Sequence, residues 1–220
     1  MLIAGIDEAG RGAVIGPLVI AGVLMKEEEL RKLTELGVKD SKLLSPQRRE
    51  TLAKEIKKIA QDCNIMELCP KEIDYVVQNG RRLRKLNWLE AQTMAKTIQA
   101  LEPDKVYVDA SDVKEARFKQ QIQECLSCRV EIISEHKADR NYPIVSAASI
   151  IAKVERDRQI AELARTYGDF GSGYPSDTRT MDFLATCLRD FKEYPIFVRK
   201  SWKPAKKTKE DSHQTRLTWH

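Results

Sequence analysis

Apolar residues near the start of the chain come in short runs without helical spacing. Residues 2–7 (Leu-Ile-Ala-Gly-Ile-Asp) and 14–24 (Val-Ile-Gly-Pro-Leu-Val-Ile-Ala-Gly-Val-Leu) are rich in β-branched side chains and joined by a glycine-rich turn. They predict an antiparallel pair that opens a sheet. At Ser45-Pro46 the pattern changes: Ser is a good N-cap and Pro a good first helical residue. Leu52, Ile56 and Ile59 then recur at helical spacing to about Gln61. Residues 63–68 predict a third strand. Asn87 caps a helix running to Leu101, with Trp88, Ala91, Met94, Ala95 and Ile98 on one face. Residues 105–109 (Lys-Val-Tyr-Val-Asp) read as a strand, 113–126 as a helix and 130–134 as a strand. A helix follows over 142–164, whose Ala-Ala-Ser-Ile-Ile-Ala run is small enough to pack closely on a sheet, and another over 178–192. Strand–helix alternation in the second half implies parallel pairing with helices on the faces. The whole predicts an α/β fold around a mixed five-stranded sheet.

After Tyr194-Pro195 the pattern fades. Residues 200–209 (Lys-Ser-Trp-Lys-Pro-Ala-Lys-Lys-Thr-Lys) are basic with little apolar periodicity, and a flexible or loosely docked terminus is the expectation. This divides the chain into a domain over 1–198, including its C-terminal helical part, and a basic polar tail over 199–220. The 220 residues, 42% of them hydrophobic, suffice for one sizeable core. Lys and Arg outnumber Asp and Glu by 38 to 33, a surplus that suits a polyanionic partner without specifying one. No apolar run approaches the ~18 residues a membrane span needs, and no signal-peptide pattern opens the chain. Five cysteines, an odd number, fit free thiols in a reducing cytoplasm. Cys125 and Cys128 have the spacing of half a zinc site, but no second pair completes it.

The candidate chemistry lies in four acids. Asp7 ends the first strand and Glu8 follows it; Asp109 ends the strand at 105–109; Asp139 precedes the helix at 142. Ligand sites in open α/β sheets lie outside the carboxyl ends of strands. Acids gathered there repel one another unless divalent cations lie between them, and oxygen ligands suit Mg2+ or Mn2+ rather than zinc. Two such ions can drive phosphodiester hydrolysis. Any one of these acids taken singly is more often a cap or a solvated turn residue. Gly10-Arg11-Gly12, beside the first pair, is a tight turn or a place where bare backbone meets a ligand.

The stretch GIDEAGRGAVIGPLVIAGV, residues 5–23, resembles the opening motif of the type 2 ribonucleases H (ribonuclease HII). The likeness continues through the blocks KDSKLLSPQRRE, VYVDASDV, EHKADRNYPIVSAASIIAKVERDR and FGSGYPSD. They fall in the family's order, span nearly all of residues 2–199 and are closest to the archaeal branch. The resemblance implies an RNase H-like fold: a mixed five-stranded sheet flanked by helices, with a helical C-terminal extension. It implies a metal-dependent endoribonuclease that hydrolyses the RNA strand of RNA–DNA hybrids. Such an enzyme also incises 5′ of ribonucleotides embedded in duplex DNA, leaving 3′-hydroxyl and 5′-phosphate ends. Carried onto matching positions, Asp7, Glu8, Asp109 and Asp139 are the catalytic and metal-binding acids. Gly10, Arg11, Gly12 and Tyr174 then read the ribonucleotide, with Ser41 and Lys42 on the substrate backbone. His136 is not among the residues the motif requires. The terminal Gln214–His220 segment is similar to a sliding-clamp-binding peptide at Gln214 and Leu217 only, so a clamp is a candidate partner. A monomer is expected. The rival readings are another metal-dependent phosphoryl-transfer enzyme of the same superfamily and a nucleic-acid-binding module without catalysis. An acid cluster facing phosphates argues against the second.

Overall fold

The computed structural model describes residues 1–38, 44–80 and 85–217. Backbone contacts divide the chain into two compact units: Met1–Ala9, Val19–Glu67 and Arg82–Glu155 form the first, and Gly10–Leu18, Leu68–Arg81 and Arg156–His220 the second.

The first unit holds the sheet, with strand order β3-β2-β1-β4-β5. Central β1 (Leu2–Ala9) pairs antiparallel with β2 (Leu18–Lys26), Leu2 opposite Lys26 and Ala9 opposite Val19. β3 spans Asp62–Leu68. β4 (Lys105–Asp109) runs parallel to β1, with Ile6 beside Val108, and β5 (Glu131–Glu135) runs parallel to β4. Alternate side chains of each strand point to opposite faces. On one face Ile3 and Ala9 pack with Leu52 and Ile56 of α2 (Pro46–Ile59) and with Val145, Ala148 and Ile151 of α7 (Pro143–Tyr167). On the other, Ala4, Ile6, Val106 and Val108 pack with Met94 and Ile98 of α4 (Lys85–Leu101) and with Phe118 and Ile122 of α5 (Glu115–Cys125). Two short helices, α1 (Arg31–Leu36) and α6 (Ala138–Asn141), complete this unit.

One glycine sets the spacing of a whole layer. A Cβ built on Gly5 would lie 2.4 Å from the carbonyl carbon and oxygen of Ile144 and 2.6 Å from the Val145 nitrogen. The first turn of α7 therefore rests directly on β1, which only a residue without a side chain permits.

The second unit packs Val14, Ile15, Ile160, Phe170, Leu184, Phe197 and Val198 into its own core. It contains α3 (Pro70–Asn79), the last turns of α7, α8 (Thr178–Asp190) and α9 (Lys203–Leu217).

The structure corrects the expected elements in several places: β1 runs past Asp7 to Ala9, and Asn87, expected as a cap, lies inside α4. The strand expected over 14–24 begins at Leu18, because Gly16 takes φ +89° and Pro17 has no N–H to donate to a ladder. Val14 and Ile15 are apolar for a different reason, the core of the second unit. The terminus expected to be flexible or loosely docked is helical to Leu217. Ala205 is fully buried and its carbonyl accepts the Tyr194 hydroxyl at 2.9 Å, which docks the first turn of α9. Helices α1, α3 and α6 were not anticipated.

Candidate active site

The parallel register of the first unit brings two acids together. Ile6 lies beside Val108, so one residue further along each strand Asp7 and Asp109 become neighbours on the face that α7 covers. Asp7 is 5% exposed, and its carboxyl is pushed up from 3.8 to about 7. Burial is the larger cause and the charge of Asp109 the next. Hydrogen bonds from Ser149 of α7 and the Glu8 N–H, with the charge of Lys153, act the other way; the Glu8 N–H lies 2.7 Å from Asp7 Oδ1. Gly5 makes this arrangement possible, since close seating of α7 is what carries Ser149 and Lys153 toward β1.

The other two acids are tied to this pair by hydrogen bonds. Glu8 Oε1 accepts from the Ser111 hydroxyl at 3.1 Å, in the loop leaving β4. That loop is anchored by Asp112, 1% exposed, which accepts from the Lys114 N–H at 3.0 Å and pairs with Arg117, its Oδ2 lying 2.7 Å from Arg117 Nε. Asp109 Oδ1 accepts from the Ala138 N–H at 2.9 Å, which sets the start of α6 and hence Asp139, 3% exposed. Lys137, at φ +59°, makes the turn that delivers α6 there. His136 is turned to the neighbouring loop: its N–H donates to Glu115 Oε1 at 2.7 Å, and its Nε2 lies 3.2 Å from the Val113 carbonyl.

As the side chains stand, no three carboxylate, imidazole or thiol groups among the described residues close on one point. Like charges draw together only around a cation. The residues nevertheless fit a divalent ion. Every donor is a carboxylate oxygen, and Asp7 carries an electrostatic burden, from burial and Asp109, that a cation would relieve.

In the second unit the glycine-rich turn is braced from beneath. Gly10 takes φ +87°, and a Cβ there would lie 2.6 Å from the Pro17 carbonyl oxygen and 2.8 Å from the Arg156 side chain. Arg156, 4% exposed, donates through Nη2 to the Ser172 carbonyl at 2.7 Å and lies 4.5 Å from the centre of the Tyr174 ring. Tyr174 is also the nearest neighbour to the open side of Gly12, at 4.0 Å from its ideal Cβ position. Arg199, wholly buried, donates to the Arg11 carbonyl at 3.0 Å and to the Gly16 carbonyl at 3.1 Å. Gly12 and Tyr174 are thus brought together. Sequence reasoning missed Arg156 and Arg199, because a lone arginine in a polar stretch reads as surface. Ser41 and Lys42 lie outside the described residues.

A mixed sheet of this order, with acids at or near the ends of its parallel strands, is the layout of the ribonuclease H-type fold. The chain matches the family model of Ribonuclease HII over residues 4–205 and belongs to that family. Members of this family are metal-dependent endoribonucleases that cleave the RNA of RNA–DNA hybrids and ribonucleotides within DNA. The chain is 51% identical to ribonuclease HII of Thermococcus onnurineus over 96% of its own length and 91% of the relative's. It is similar to the crystal structure of ribonuclease H2 from Pyrococcus horikoshii OT3, with TM-score 0.89, 44% identity and coverage of 97% of this chain and 100% of that one. It is also similar to the chain in the structure of the PCNA:RNase HII complex from Archaeoglobus fulgidus, with TM-score 0.83, 43% identity and coverage of 92% and 96%.

Proposed function

We propose that Asp7, Glu8, Asp109 and Asp139 are the catalytic acids of this endoribonuclease and hold two divalent ions, Mg2+ or Mn2+. The observation that carries this reading is the placing of Asp7 against Asp109 by strand register. Bound ions would supply Lewis acidity to the scissile phosphate and neutralise charge on the departing 3′ oxygen. The protein's part is to hold the acids ready. Asp7, beside Asp109 and under α7, would lend its carboxylate to holding the ions. Ser111 restrains Glu8, and the Ala138 N–H restrains Asp109 while seating Asp139.

Gly10, Arg11, Gly12 and Tyr174 read the ribonucleotide, and Ser41 and Lys42 hold the substrate backbone. A single 2′-hydroxyl distinguishes RNA from DNA, and a turn without side chains at 10 and 12 can bring main-chain groups to it. The cut falls 5′ of the ribonucleotide. A labelled RNA–DNA hybrid incubated with and without EDTA, for wild type and Asp7→Asn, tests the acid assignment. Cleavage is expected only for wild type with metal, and near wild-type cutting by the variant would place the metal site elsewhere.

The partner proposed from the Archaeoglobus complex is a sliding clamp, engaged through Gln214–His220. Deleting residues 210–220 is expected to leave cleavage of short hybrids unchanged and to abolish stimulation by a clamp. Equal clamp binding by the full and shortened chains would remove the C-terminal segment from the interaction. The enzyme is proposed to act as a monomer in the cytoplasm. None of its five cysteines forms a disulfide, and no helix among the described residues is long and apolar enough to cross a membrane.

A further inference from the structure

A fully buried arginine is costly unless its charge meets acceptors, so the acceptors it takes show what it is for. Arg199 spends two of its donors on backbone carbonyls of one turn, Nη1 on Arg11 at 3.0 Å and Nε on Gly16 at 3.1 Å. The backbone places it there: the Gly16 N–H donates to the Phe197 carbonyl at 2.9 Å, the Arg199 N–H donates to the Val14 carbonyl at 2.8 Å, and Ile15 bridges Val198. The Trp202 ring lies 5.1 Å from the guanidinium carbon, which holds the fork in one plane.

The consequence falls on the next residue. The Arg11 carbonyl and the Gly12 N–H belong to one peptide, and every peptide bond among the described residues is trans. In a planar trans peptide the two groups point in opposite directions. Drawing the carbonyl inward onto a buried guanidinium therefore turns the Gly12 N–H away from the interior. Gly12 is exposed, and among the described residues, its chain neighbours aside, only the edge of Tyr174 comes within 4 Å of its Cβ position.

We propose that Arg199 is a specificity-determining positioning residue: by fixing the Arg11–Gly12 peptide plane, it aims the Gly12 N–H at the 2′ oxygen of the ribonucleotide. The proposal rests on the reading that Gly10-Arg11-Gly12 meets the ribonucleotide. Lysine at 199 would keep the charge but not the fork, because its compact ammonium cannot reproduce two diverging donors. The peptide plane would then be free to rock.

The test measures binding in EDTA, so that nothing is cut, to two duplexes that differ only in one ribonucleotide against the matching deoxyribonucleotide. Arg199→Lys and Arg199→Gln are expected to lower the preference for the ribonucleotide duplex about tenfold, the size of one hydrogen bond. Affinity for the all-DNA duplex should stay within about twofold. Gly12→Pro, which removes the N–H itself, should remove the same preference, and adding Arg199→Lys to it should change the preference no further. Equal losses on both duplexes would show a merely structural role and overturn the proposal. So would full preference in both Arg199 variants alongside its loss in Gly12→Pro. If Gly12→Pro also keeps the preference, the assignment of the turn to the ribonucleotide fails as well. If Arg199→Lys does not fold, as judged by thermal unfolding, Arg199→Gln decides by the same ratio.

Discussion

Replacing Asp7 by Asn should make the metal-free protein more stable, and by an amount that grows with pH. In the folded chain the Asp7 carboxyl is raised from 3.8 to about 7, by burial first and by Asp109 second. A group that holds its proton more tightly when folded favours folding below its unfolded pKa, and loses that contribution as pH rises through its folded pKa. At pH 8 the wild type must keep Asp7 ionised against this resistance. At ~1.36 kcal/mol per pKa unit, the move from 3.8 to about 7 corresponds to about 4 kcal/mol. At pH 5 only the part between 3.8 and 5 has been lost, so the cost between pH 5 and pH 8 grows by about 3 kcal/mol. Asparagine keeps an oxygen for the Glu8 N–H and has nothing to ionise. The assay is denaturant and thermal unfolding of both proteins in EDTA at pH 5 and pH 8. The stability gap should widen with pH by about 3 kcal/mol, on the order of 10 °C in midpoint for a chain of this length. Mg2+ at pH 8 should then narrow it, since ligand binding to the folded state stabilises wild type. A gap that is the same at both pH values would refute the electrostatic reasoning, whatever its sign.

Three further outcomes follow from the packing. Gly5→Ala should destabilise by about 3 kcal/mol, because backbone atoms of Ile144 and Val145 stand where the methyl must go; unfolding that matches wild type would mean α7 does not rest on β1 as described. Asp112→Asn should lower kcat with little change in KM, since Asp112 anchors the loop whose Ser111 restrains Glu8; steady-state kinetics on a short hybrid with an unchanged kcat would contradict that linkage. Tyr174→Ala should reduce cutting of a duplex with one ribonucleotide far more than cutting of a continuous hybrid, where many registers offer a usable site. Equal losses on the two substrates, at matched metal and salt, would take Tyr174 out of ribonucleotide reading.

The legible parts of this fold are those where local pattern and tertiary role agree. Lys105–Asp109 was bounded correctly because alternation, β-branching and a terminal acid coincide in five residues. Ser45-Pro46 announced α2, and the Ser45 hydroxyl does accept the Arg48 N–H at 3.2 Å. Asp109 was legible as a strand-end position, but β1 runs past Asp7 and Glu8 to Ala9, and it is register that supplies the closeness of Asp7 and Asp109 that no spacing in the chain contains. Helix α3 was missed although Pro70 stands at its first position and Glu72 reaches back to the Cys69 N–H at 2.8 Å. Cysteine is not a residue that advertises a helix start. Val14 and Ile15 misled for the opposite reason, being apolar for a core built from residues far away in sequence. Arg156 and Arg199 could not be recognised as buried, since their acceptors are carbonyls and carbonyls leave no trace in a sequence.

The bonds from Arg199 to Arg11 and Gly16 join residues 188 and 183 positions apart. At ~5–20 residues per second of synthesis, the turn at 10–16 waits ~10–40 s on the ribosome before its brace exists. Throughout that interval the acids of β1 can already be made while the turn that follows them in the chain is unsupported, so the order of synthesis itself leaves that turn unbraced until residue 199 has been made. Chains ending before Arg199 should accordingly be cut by a protease within 10–16, where the full chain resists. Equal resistance in both would show that the turn holds its shape unaided.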